Sequence, residues 1–173
     1  MTNKRGVYVA KYTAYFFVLV CLYVLQTTPS FMAVFGIKPN LVIPAAICIA
    51  MLEGEFTGGL YGALAGALCD LGDFCIFGFN AIILLIACVL AGLMVIYMLR
   101  ATVLNFVLLA FGALLARTLL DYLLNYYMWG YEGVWMVLVY KMLPTVIYSA
   151  AAAPVSYYLL CWLHGWFAVR LES

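Results

Sequence analysis

Charged residues are scarce in this chain, so each one that falls inside an apolar stretch is a candidate for chemistry. Arg117 and Asp121 lie four positions apart in "ARTLLDY", a spacing that puts both on one helix face, where an ion pair lowers the insertion cost of each. Lys141, further along, either snorkels to the membrane edge or joins them in a three-charge cluster. These groups read as a functional site or as a structural pair near the membrane boundary. Asp70 and Asp73 stand beside Gly72 and Gly78, where a carboxylate can cap the next segment, bind a cation or pair with a base. General acid/base catalysis would also need a second group and a cleft, which spacing alone does not supply. Turn-forming or interfacial carboxylates are the expectation. His164, the single histidine, sits beside Gly165 and Trp166 and reads as an interfacial residue, not a metal ligand or a base. The six cysteines (Cys21, Cys48, Cys69, Cys75, Cys88 and Cys161) lack CxxC spacing and read as small buried hydrophobes, with Cys75, in a loop, the doubtful one. There is no nucleophile elbow, Walker loop or HExxH motif. No catalytic residue, metal or cofactor is expected, and enzyme is the weakest class.

The elements that position these residues are membrane helices. The chain is 173 residues long, 69% hydrophobic and 9% charged, with a mean hydropathy of +1.15, far from the make-up of a soluble domain. It reads as a single membrane domain, 1–173, with almost nothing left over. A net charge of +1 and the short Lys4, Arg5, Lys11 set give no field that would recruit nucleic acid. The first apolar segment has no small-x-small cleavage site after it, so a retained anchor is expected rather than a signal peptide.

Six spans are expected in an all-α fold: about Tyr12 to Thr28, Asn40 to Leu52, Phe56 to Leu71, Phe79 to Leu99, Thr102 to Tyr126, and Val137 to Leu163, the last broken or bent near Pro144 and Pro154. The second and third are short. Glu53-Gly54-Glu55 separates them, because two carboxylates at mid-membrane are costly and an aqueous turn is cheaper. Lys4, Arg5, Lys11, Arg100 and Arg170 fall on the amino-terminal side and Lys38 opposite, which predicts both termini in the cytoplasm. The aromatic cluster Tyr126, Tyr127, Trp129, Tyr131 and Trp135 then faces outward, as an interfacial belt or a partner-docking surface.

The third span, "EGEFTGGLYGALAGALCDLGD" (53–73), carries Gly54, Gly58, Gly62 and Gly66 at every fourth position, and the next step lands on Asp70. Such a row opens a groove in which another helix backbone approaches closely. The occupant is either this chain's own bundle or a partner helix.

Two stretches in sequence carry a family resemblance. "LYVLQTTPSFMAVFGIKPNLVIPAAICIAM" (22–51) ends a first helix in Leu-Gln, passes a proline loop and opens a second helix with Lys-Pro-Asn-Leu; "EGEFTGGLYGALAGALCDLGDFCIFGFNAI" (53–82) then leads glycines to an aspartate and a glycine-opened fourth span. This order resembles the rod shape-determining protein MreD family of bacterial plasma membranes over roughly residues 20 to 95. The resemblance implies a multi-pass, non-enzymatic scaffold of the cell-elongation machinery that regulates cell shape and peptidoglycan synthesis. Implied partners are MreC, the actin-like MreB filament, RodA and a class B penicillin-binding protein, with self-association a further expectation. Gln26, Pro29, Pro39, Gly58, Gly62, Gly66 and Asp70 carry over as fold and interface positions. Asn40 stands where the family usually has an acid. The alternative resemblance is to S components of energy-coupling-factor vitamin transporters, similar in outline and size, whose Ala-x-x-x-Ala coupling motif has its spacing in Ala10 and Ala14. An S component needs a polar vitamin pocket among its outer helix tops, which Arg117, Asp121, Lys141 and Asp70 are placed to line.

Overall fold

The computed structural model describes residues 2–28, 39–72, 78–124, 136 and 138–172. Among these every regular element is a helix: α1 Thr2–Thr27, α2 Val42–Glu53, α3 Glu55–Gly72, α4 Phe79–Tyr97, α5 Val103–Tyr122, and α6 Leu143–Glu172, which a π-helical turn, Leu138–Met142, leads into. Among the described residues, four helical stretches are long and apolar enough to cross a membrane: Arg5–Thr27, Phe79–Tyr97, Val103–Tyr122 and Leu138–Arg170. The expectation of a break at Pro144 appears as a change from π to α geometry just before it. At Pro154 the helix continues. Pro29, Lys38, Asp73, Cys75 and the aromatic cluster lie outside the described residues, as does the side chain of Lys141.

The centre of the fold is α2. Its 12 residues extend only about 18 Å at 1.5 Å per residue, well short of a bilayer core of about 30 Å. Val42 to Met51 are all buried, as expected of a helix that is apolar on every side. It packs against each of the other five helices. The second expected span is therefore an internal post with its ends inside the bundle.

Glycine lets α3 and α4 close against this post. A Cβ on Gly62 would come within 2.6 Å of the Leu84 carbonyl oxygen and 2.7 Å of Cys88 Sγ. One on Gly66 would strike the backbone of Asn80 and Ala81, and one on Gly58 the backbone and methyl of Ala50. The groove read from the sequence is thus filled inside the chain, by α4 along most of its length and by α2 at Gly58, so a partner helix has no access to it. Gly54 corrects the reading of the row. It is the joint between α2 and α3, with φ at +89°, a region that favours glycine. The counterpart that spacing did not show is Gly92 of α4, where a Cβ would meet the Glu55 backbone at 2.7 Å.

The contacts also fix helix direction. Gln26 at the end of α1 meets Leu41 at the start of α2, Gly66 and Gly62 meet successively later residues of α4, and Arg117 late in α5 meets Asn80 early in α4. Neighbouring helices in sequence run antiparallel, which leaves one end of the bundle near the chain termini and the other distal to them.

Candidate functional site

Because α2 stops inside the bundle at both ends, its terminal polar groups need partners that water does not supply. At the end near the termini, Glu53 closes the helix. Its Oε1 takes an ion pair from Lys11 Nζ at 2.5 Å, accepts the Tyr15 hydroxyl at 2.8 Å and lies 2.9 Å from His164 Nδ1. The Tyr15 oxygen is itself 3.1 Å from that nitrogen. One carboxylate oxygen so ties α1, α2 and α6 together. The Lys11 and Glu53 side chains are only 7% and 9% exposed, so the pair is desolvated and relies on this geometry. Tyr15 stacks edge-on against Tyr61 with centroids 6.0 Å apart, and Tyr61 donates to the Tyr12 carbonyl at 2.7 Å, which brings α3 into the same knot.

Two expectations change here. The turn at Gly54 exists, but Glu53 points into the bundle instead of into water. Lys11 is a buried ion-pair partner and not only a marker of orientation. His164, read as an interfacial residue, is in addition bonded to Glu53 and Tyr15. The partners are separated by 38 to 149 positions, beyond the reach of any helical spacing. The signal that was present is a lysine inside an apolar helix, which calls for an acid to neutralise it.

At the distal end, neutral amides do the corresponding work. Asn40 Oδ1 accepts the Ile43 N–H at 3.2 Å, an N-cap arrangement, and Gln26 Oε1 accepts the Leu41 N–H at 3.1 Å. The Asn40 N–H donates to Ser149 Oγ at 2.7 Å, and that hydroxyl donates to the Thr145 carbonyl. Beside this, Asp70 caps α4: its carboxylate accepts the N–H groups of Gly78 at 2.9 Å, Asn80 at 3.0 Å and Ala81 at 3.3 Å. An anion at a helix N-terminus is favoured by the exposed amides and the helix dipole. Of the roles open to Asp70, capping the next segment is the one it performs. Asn80 passes the linkage on, its Oδ1 accepting Arg117 Nε at 2.7 Å, so α3, α4 and α5 are joined through buried polar groups.

Between these groups lies a cavity of about 300 Å³ lined by residues that include Tyr23, Gln26, Asn40, Gly72, Arg117 and Thr145. It stands over the recessed start of α2. Of the residues placed by sequence at a polar pocket, Arg117 lines it. Asp70 does not, being spent on α4, and half-buried Asp121 lies one helical turn beyond Arg117. Pro39 joins Gln26 in the lining. Of the cysteines, Cys48, Cys69 and Cys88 are buried as expected and Cys21 is exposed. No group of three metal-ligating side chains occurs among the described residues.

No family model matches the chain, and no curated protein or solved structure matches it.

Proposed function

We propose that this chain is a non-enzymatic scaffold of the bacterial cell-elongation machinery, of the MreD type, crossing the plasma membrane six times with both termini in the cytoplasm. The observation that carries the reading is where the residues of the resemblance fall. Gln26 seats the start of α2, Gly58, Gly62 and Gly66 admit α2 and α4, and Asp70 seats α4. Five of the positions carried over by the resemblance, Gln26, Gly58, Gly62, Gly66 and Asp70, thus stand at joints of the fold, and this supports the reading.

In this reading MreC, and through it MreB, RodA and a class B penicillin-binding protein, is held by outward faces of the bundle, because the glycine groove is occupied from within. Exposed apolar residues such as Phe16, Phe17 and Val24 on α1, and Val155, Tyr158 and Trp162 on α6, supply such faces. The second and third passes are made by α2 and α3, whose shortness is accommodated by the neighbours that shield them from lipid.

The test is cross-linking in cells from cysteines placed along the outward faces of α1 and α6, with imaging of cell shape on depletion. Rounded cells and capture of MreC are expected. Loss of vitamin uptake with unchanged cell shape would replace the scaffold with an S component.

A further inference from the structure

Two polar ties fix how α2 lies against α6. At the entry of α2 the Asn40 N–H reaches Ser149, 109 positions on, and at its end Glu53 reaches His164, 111 positions on. The two helices therefore run parallel at an almost constant offset. Cys48, between the ties, faces the stretch around Tyr158 and Leu159, which is less than one turn before Cys161 at 3.6 residues per turn. The two thiols are in fact hydrogen-bonded to each other, and both are free. A small buried hydrophobe is all that packing asks of a cysteine, and Cys88 against Gly62 is such a case. A pair of thiols in contact, brought from helices more than a hundred positions apart, has a chemistry that packing does not require.

The members of the pair differ in a way that divides that chemistry between them. Cys48 is fully buried in the internal post, whereas Cys161 is half-buried. A reagent from outside meets Cys161 first, and Cys48 is sheltered behind it, which is the arrangement of an attacking thiol next to a resolving one. Around Cys161 the exposed side chains are Leu159 and Trp162, on a helix that is apolar enough to cross a membrane. The reagent that arrives there is one that dissolves in lipid. Tyr157, one turn earlier, also lies within hydrogen-bonding reach of the Cys161 sulfur, so that sulfur has neighbours able to donate to it as it gains negative charge. A disulfide needs the two sulfurs about 2 Å apart, and thiols in hydrogen-bond contact have only a short way to close.

We propose that Cys48 and Cys161 are a redox-active dithiol that reduces an organic hydroperoxide of the lipid phase and is converted to a disulfide joining α2 to α6. The Cys161 sulfur attacks the terminal peroxide oxygen and the O–O bond breaks. The alkoxide leaves as an alcohol with the Cys161 thiol proton, and Cys161 becomes a sulfenic acid. The Cys48 sulfur then attacks the Cys161 sulfur, the S–O bond breaks, and hydroxide leaves as water with the Cys48 proton. One hydroperoxide and two thiols give one alcohol, one water and one disulfide. The site stands independently of the scaffold reading.

The test uses the full chain in a non-ionic detergent, treated with one equivalent of cumene hydroperoxide and digested without reduction for peptide mapping. Wild type is expected to yield a peptide pair linked through Cys48 and Cys161, which a reductant separates. In Cys48→Ala the resolving thiol is gone, so the sulfenic acid persists and dimedone should label Cys161 at least tenfold more than it does in wild type. In Cys161→Ala the linked pair is lost and Cys48, out of reach of the peroxide, stays unlabelled. The wild-type digest needs no substitution and decides the matter should either variant fold poorly. Folded wild type that gives no Cys48–Cys161 link, or Cys48→Ala labelled no more at Cys161 than at exposed Cys21, overturns the proposal.

Discussion

The two ends of α2 are tied into the bundle in different ways. A helix that stops short of water must be terminated within the bundle. At Glu53 the solution is a full charge: an acid, a lysine, a histidine and a phenol meet at one oxygen. At Asn40 it is a set of neutral amides and hydroxyls beside open space. At the charged end, removal of Lys11 or Glu53 strands the other in a poor solvent. The neutral end borders the cavity of about 300 Å³. Strength and accessibility are thus assigned to different ends of the same short helix.

The largest effect should come from breaking the charged end. Glu53→Leu leaves Lys11 buried without its counter-charge and should cost about 3–5 kcal/mol, read as a loss of folded yield and melting temperature in detergent. The double variant Lys11→Met with Glu53→Leu should recover much of that loss; a double variant as damaged as the single would show that the two charges are not energetically joined. Next comes Asp70→Ala, which uncaps three N–H groups of α4 and should cost about 2 kcal/mol. Asp70→Asn, retaining one acceptor, should cost less. Gln26→Leu orphans one N–H at the neutral end and should cost about 1 kcal/mol. An effect rivalling that of Glu53→Leu would erase the contrast between the ends. The smallest change is expected for His164→Phe, at about 0.5–1 kcal/mol, since His164 is 31% exposed at its side chain and Lys11 still neutralises Glu53.

How far the sequence speaks for itself differs between these regions. Helices were legible from apolar runs, and the groove from four-residue glycine spacing, since both are local. Asp70 was legible as a carboxylate at a helix entry, though its three N–H partners were not. The Glu53 knot was hidden because its members are far apart in the chain and meet only when three helices have packed. Asn80 was hidden likewise: 37 positions from Arg117, it accepts that side chain's Nε, a contact that no helical spacing shows. The short length of α2 agrees with the sequence reading, Val42–Glu53 against about Asn40 to Leu52; its enclosure by protein was hidden for a different reason. Apolar composition says that a segment avoids water, and says nothing of whether lipid or protein replaces it.

That α2 is enclosed by helices made after it has a consequence for biogenesis. A ribosome delivers α2 and α3 to the bilayer long before α6, which supplies His164, Ser149 and one wall of the enclosure, has left the exit tunnel. The nascent chain must therefore hold a short, lipid-mismatched segment with unfinished polar ends until the final hairpin inserts. A protein cut before α6 should be recognised by membrane proteases as incomplete, however well its first five helices are made.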